Sequence, residues 1–191
     1  ITSRRAAPLS RLLDIEGDRT SDIEDIVVGT KIRLLSETAG RPAVGVRFAT
    51  KLPNAGNESG LGLDTTDFYA SFLIGKTVQS IRVVGNFGLG ILPDPVVGNR
   101  QNDVLTYGLS LARAITQGFE IVGEVNGRAN TRDAEDTPIG TESRASLRAG
   151  ARFTQGTVRV DGGMIFGMTS RDPSFGFTAG LTWVFRGFSI P

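Results

Sequence analysis

The chain has 191 residues, with 21 Lys and Arg against 20 Asp and Glu, 25 Gly, and neither His nor Cys. A net charge of +1, its bases spread along the chain, offers no field to hold a nucleic acid, so none is expected as a partner. The lack of His and Cys removes Ser-His and Cys-His nucleophiles, zinc sites built on imidazole or thiolate, iron–sulfur clusters and disulfides. No cofactor, metal centre or enzyme activity is therefore expected.

The chain opens at Ile1 without an initiator Met or a charged-then-apolar leader, which reads as a processed chain or a fragment. Residues 1–22 place Arg4, Arg5 and Arg11 ahead of Asp14, Glu16 and Asp18, show no sustained alternation, and read as a loop-like segment. From 23 to 186 nearly every stretch alternates with a period of two, the mark of β-strands. Ile26, Val28, Thr30, Ile32 and Leu34 oppose Val27, Gly29, Lys31, Arg33 and Leu35. Val44, Val46, Phe48, Thr50 and Leu52 oppose Gly45, Arg47, Ala49 and Lys51; Phe68, Ala70, Phe72 and Ile74 oppose Asp67, Tyr69, Ser71 and Leu73.

The pattern continues with Ile81, Val83, Phe87, Leu89 and Ile91 against Arg82, Val84, Asn86, Gly88 and Gly90, and with Leu105, Tyr107, Leu109 and Leu111 against Thr106, Gly108, Ser110 and Ala112. Phe119, Ile121 and Val125 oppose Glu120, Glu124 and Arg128; Leu147, Ala149 and Phe153 oppose Arg144, Arg148 and Arg152. Val158, Val160, Met164 and Phe166 oppose Arg159, Asp161 and Ile165, and Phe175, Phe177, Leu181, Trp183 and Phe185 oppose Gly176, Thr178 and Thr182. About nine strands of roughly ten residues result, followed by a tail at 187–191.

The links differ in length: short at 36–41, 75–80, 116–118 and 155–156, longer at 53–64, 92–103, 129–142 and 169–174. One rim then carries tight turns and the other carries loops. Gly118 and Gly156 each follow a Thr-Gln pair and supply the positive φ of a hairpin turn. Apolar faces stay together with Phe153 opposite Val158 and Ile115 opposite Phe119.

Two readings of the faces stay open. A soluble sandwich covers its apolar face with a second sheet. An antiparallel transmembrane up-and-down β-barrel turns that face to lipid and encloses the charged one, and ten-residue strands with unequal rims fit it better. The longest charge-free run, residues 173–185, has 13 residues against the roughly 18 to 20 of a spanning helix. Single-chain bacterial barrels close with an even strand number, so one or three strands are expected upstream, giving about 10 to 12 in all.

Nine bases, Lys31, Arg33, Arg47, Lys51, Arg82, Arg144, Arg148, Arg152 and Arg159, share the inner face with four acids, Asp67, Glu120, Glu124 and Asp161. A symmetric hairpin places Glu120 opposite Arg152, Glu124 opposite Arg148 and Arg128 opposite Arg144. Such a ladder serves either charge compensation in a packed lumen or a constriction that biases passage toward anions. Glu120 and Glu124 stand about 13 Å apart along one strand, too far for a glycosidase carboxylate pair. Phe48, Phe153, Phe175, Trp183 and Phe185 are the outward aromatics expected at membrane interfaces or against lipid. Asp133, Glu135 and Asp136 lack the spacing of a calcium loop and read as solvated charge.

Several segments carry a resemblance. Val28-Gly29-Thr30-Lys31-Ile32-Arg33, Lys51-Leu52-Pro53-Asn54 leading to Gly62-Leu63-Asp64-Thr65-Thr66-Asp67-Phe68, Gly85-Asn86-Phe87-Gly88-Leu89-Gly90, Gly140-Thr141-Glu142-Ser143-Arg144 and Thr169-Ser170-Arg171-Asp172-Pro173 resemble the phenol meta-pathway (MetA) family of outer-membrane barrel proteins. The resemblance covers about residues 22–185 and implies an outer-membrane channel or transporter associated with aromatic degradation. Trp183-Val184-Phe185 looks like the C-terminal signal read by bacterial barrel-assembly machinery, except that six residues follow it. The expected function is passive passage of small solutes, aromatic or anionic, across a bacterial outer membrane. The alternatives are a non-conducting structural or interaction barrel and, behind it, a soluble β-domain.

Overall fold

Strands that alternate over their whole length need a partner on each edge, and the chain supplies them in sequence. The computed structural model describes residues 2–3, 19–20, 24–55, 62–95, 97, 99–132, 137 and 140–185. Within the segment expected to be loop-like, the two-residue strands β1 (Thr2–Ser3) and β2 (Arg19–Thr20) pair antiparallel. The rest of that segment, the acidic cluster Asp133, Glu135 and Asp136, and the tail 187–191 lie outside the described residues.

Nine longer strands follow: β3 (Val27–Leu35), β4 (Ala43–Lys51), β5 (Asp67–Val78), β6 (Ile81–Pro93), β7 (Gln101–Thr116), β8 (Phe119–Asn130), β9 (Arg144–Gln155), β10 (Val158–Gly167) and β11 (Phe175–Trp183). Each pairs antiparallel with the next, without a crossover. The fold is all-β, one antiparallel up-and-down sheet with no helix among the described residues. β3 and β11 are its edges, and no ladder joins them among the described residues. Both run from the loop rim toward the turn rim.

The turns at 79–80, 117–118 and 156–157 are tight, with Gly118 at φ 80° and Gly156 at φ 59° as the Thr-Gln-Gly pattern requires. Gln79 takes the same left-handed region at φ 55° without the help of a glycine. The bend at 36–42 is held by Lys76, whose Nζ donates to the carbonyls of Thr38 (2.5 Å) and Ala39 (3.0 Å). Glu37 accepts the Thr77 N–H at 2.7 Å, a bond to the charged form that holds its carboxyl below the ordinary range.

Register departs from expectation at three places. Phe153 stands opposite Val160, with Val158 opposite Gln155, so the turn is two residues tighter than Phe153 opposite Val158 would make it. The pairing shifts between Ala114 and Thr116, so Thr116, rather than Ile115, faces Phe119. A second shift between Arg33 and Leu35 puts Leu35, expected on the charged face, opposite Val44 on the apolar one. Each shift inserts one residue into a strand, which alternation alone does not register.

The faces separate cleanly. Along β10, exposed Val158, Val160, Met164 and Phe166 alternate with half-buried Arg159, Asp161 and Ile165. Phe72, Phe87, Leu109, Phe177 and Leu181 are likewise exposed, and no second sheet covers them among the described residues. The sheet curls toward its charged side: Lys31 on β3 and Arg152 on β9 line one cavity. Six strand spacings in a flat sheet would separate them by about 29 Å. Among the described residues the buried apolar side chains are Ala49, Ala55, Leu92, Val104 and Ala112, of which all but Ala112 lie at the loop-rim ends of their strands or in the loop after β4.

The two turn glycines give a graded test. A Cβ on Gly118 would stand 2.5 Å from Thr154 O, whereas one on Gly156 meets nothing within 4 Å. Gly156→Ala is expected to cost only left-handed strain, about 1 kcal/mol. Gly118→Ala is expected to cost clearly more, measured by denaturant unfolding of both variants side by side.

Candidate functional site

Because side chains alternate and the sheet curls, its charged residues converge on the concave face. On the β8–β9 hairpin, Glu120 faces Arg152, Glu124 faces Arg148 and Arg128 faces Arg144, as the symmetric hairpin predicts. Arg152 Nε lies 3.4 Å from Glu120 Oε2, and Arg148 lies 3.9 Å from Glu124 Oε1. The second pair is loose, and its arginine side chain is 46% exposed, so the pair contributes about 1 kcal/mol at most. Glu124 takes a shorter bond from Asn126 Nδ2 (2.6 Å), while Asn126 Oδ1 accepts from Ser146 Oγ (2.7 Å). Arg152 also neighbours Asp161 in the β9–β10 register, and Arg159 Nε donates to Thr154 Oγ1 at 3.2 Å.

Between this hairpin and the opposite wall lies a cavity of about 680 Å³. Lys31, Arg47, Arg82, Arg148 and Arg152 line it, with Glu124 as the single acid. Ser71, Ser110 and Asn86 form the strip between the two charged walls. Lys31, Arg47 and Arg82 make no ion pair among the described residues. Arg33 shares their face but does not line the cavity. Arg159 and Asp161 border a smaller hollow of about 260 Å³ beside Arg148 and Arg152.

Lys51 and Asp67 are not part of the cavity. Lys51 Nζ lies 2.8 Å from Asp25 and 3.5 Å from Asp67. Asp25 Oδ1 accepts the N–H groups of Asn54 (3.1 Å) and Ala55 (3.0 Å), and Asp67 accepts from Thr65 Oγ1 (3.3 Å) and Tyr69 OH (3.1 Å). This network ties the loop after β4 to the segment before β3, and with partners on every member its burial is tolerable. Asp25 was not among the residues expected to matter, because it lies ahead of the first alternating run.

Arg144 borders a recess of about 540 Å³ with Tyr69, Arg128, Arg148 and Asp172. Asp172 Oδ2 accepts from the N–H of Ala145 (3.0 Å), the N–H of Thr169 (3.2 Å) and Thr169 Oγ1 (2.6 Å). Burial pushes its carboxyl up, but these three bonds and the charge of Arg144 outweigh it and hold the pKa below the ordinary 3.8. Arg128 was read only as the partner of Arg144; its position at the loop end of β8 gives it the further contacts described below.

On the apolar face, Phe48, Phe153, Phe175, Trp183 and Phe185 are all exposed. Phe175 packs against Phe166 (5.4 Å between centroids) and Phe177 (4.7 Å) toward the loop rim, and Trp183 against Phe185 (5.4 Å) toward the turn rim. Phe48 sits in mid-strand on β4.

Among the described residues no group of three or more acidic, His or Cys side chains could hold a metal ion. The Asp172 clamp on the β10–β11 loop is expected to persist at neutral pH. Because the folded pKa is lowered, its contribution is complete above the ordinary Asp value and is lost as pH falls through the lowered one. The protection factors of the Ala145 and Thr169 amides, followed between pH 7 and pH 2 (about one unit steps), should fall only at the acid end, and Asp172→Asn should remove that fall. No protein-family model matches the chain, and no curated protein matches it either.

Proposed function

We propose that the chain is the greater part of an outer-membrane β-barrel that passes small solutes passively and favours anions over cations. One observation carries this reading: among the described residues a single sheet leaves its apolar face uncovered, while Lys31, Arg47 and Arg82, outside any ion pair, gather with Arg148 and Arg152 around a cavity on the other face. Exposed apolar patches of this extent are rare on monomeric soluble proteins and fit a hydrocarbon surrounding. Strands of 9 to 16 residues are long enough to cross one when tilted. Aromatic clusters at both rims of the apolar face suit the two interfaces.

In this reading the nine strands close with one or three more, lipid covers the outer face, and the C-terminal strand presents Trp183 and Phe185 to the assembly machinery of a bacterial outer membrane. The motifs that resemble the phenol meta-pathway family support the same assignment and extend it to aromatic or anionic solutes. No catalytic step is invoked. A non-conducting structural barrel is the second reading; the ion pairs of the β8–β9 hairpin and the buried groups inside the loop rim favour it.

Heat-modifiability tests the barrel: the detergent-extracted protein should migrate differently unboiled and boiled on a denaturing gel. Identical migration together with solubility in plain buffer would refute it. Leu109→Arg, in the middle of the outer face, should destabilise the protein in bilayers by about 2 to 4 kcal/mol. Bilayer conductance tests the channel, which should prefer anions at low salt. Arg47→Glu combined with Arg82→Glu should lower anion entry about thirtyfold and invert the preference, since the two reversals change the wall by four charges, about 0.5 kcal/mol each at roughly 8 Å in water. The effect should fade at high salt.

A further inference from the structure

The inner side of the loop rim is not open wall. Residues 140–142, between β8 and β9, fold back onto the concave face and are fastened there by side chains of the sheet itself. Arg128 Nε donates to the Glu142 carbonyl at 2.9 Å, and its Nη2 donates to the Gly140 carbonyl. Asn102 Nδ2 donates to Thr141 Oγ1 at 2.8 Å, with both residues almost completely buried, and Asn130 Nδ2 donates to the Thr141 carbonyl at 3.1 Å. Gly140 holds φ 85° and lies against Leu63 of the loop after β4.

Arg128, Asn102 and Asn130 come from β7 and β8 and all point to the concave side, so the strap covers the loop-rim end of that side. Beside it lies the recess bordered by Tyr69, Arg144 and Arg148, and Arg148 also lines the larger cavity toward the turn rim. Arg144, Ser146 and Arg148 follow one another on the inner side of β9 along this route. The buried Nε of Arg144 donates to no oxygen among the described residues.

We propose that residues 140–142 form a size-limiting strap, that Arg128 is its positioning residue, and that small carboxylates pass beside it along Arg144 and Arg148. This rests on the channel reading given above. Arg128 acts here through geometry rather than charge: a planar guanidinium reaches two carbonyls at once, which an ammonium cannot match. Arg144 opposite disfavours a second cation, Glu142 and Asp67 nearby favour it, and the two carbonyls of the strap fix where its donors point.

Arg128→Lys keeps the charge and removes the fork. In planar bilayers it is expected to raise single-channel conductance and shift the exclusion limit for neutral polyethylene glycols upward, with the anion preference unchanged. Asn102→Ala, which alters no charge, should shift the same limit in the same direction. Acetate permeability should fall in Arg144→Gln while the exclusion limit stays put. A conducting wild type whose exclusion limit does not move in either strap variant would overturn the strap and leave the channel standing. A silent wild type with a conducting Arg128→Lys would overturn the open channel and support the strap. Silence in all of them would overturn both.

Discussion

The ladders from β3 to β11 bind each interior strand along both edges, so the main chain of β4 to β10 is paired without a second layer. The side chains are not. Alternation sends one set to the convex face, where the sheet offers nothing to bury them, and the other to the concave face, where they meet one another across the curve. Everything else in the molecule answers to this division. The convex set is almost entirely aliphatic and aromatic and stays uncovered among the described residues. The concave set is charged and small, and its members either pair, bond to backbone, or stand around a cavity.

The concave face handles its charges in three ways that follow from position. Near the turn rim, Glu120 and Glu124 meet Arg152 and Arg148 across one hairpin, so neutralisation is local. Near the loop rim, Lys51 is divided between Asp25 and Asp67, and Arg128 spends its donors on carbonyls; both fix loops more than they set a field. On the β3, β4 and β6 wall of the cavity, Lys31, Arg47 and Arg82 make no ion pair among the described residues, though Glu37 acts on Arg82 from the turn rim; on β9, Arg144 makes none either. A solute inside the curve would meet compensated charge on one wall and bare positive charge on the other.

Much of this arrangement is legible in the letters. Alternation located all nine long strands, and the Thr-Gln-Gly repeats located two turns, because both signals depend on local geometry alone. The Glu120–Arg152 and Glu124–Arg148 pairs were legible because a hairpin symmetric about its loop fixes register. The shifts at Leu34 and Ile115 were not, since one inserted residue leaves apolar neighbours on both sides and disturbs no pattern. Loops have no period, so neither the Asp25 network nor the strap held by Arg128, Asn102 and Asn130 announced itself. Asn102 gave a faint signal as an amide in phase with Val104 and Thr106 on the inner face.

The two free edges carry a geometric consequence of their own. β3 and β11 run in the same direction, so a seam joining them directly would be the one parallel ladder in an otherwise antiparallel wall, with slanted and slightly weaker bonds. An odd number of intervening strands restores antiparallel order all round. In a closed barrel the strand total and the stagger at that seam would also set the radius. The nine strands thus fix which charges share the concave face, while a join between β3 and β11 would fix how far apart those charges are held.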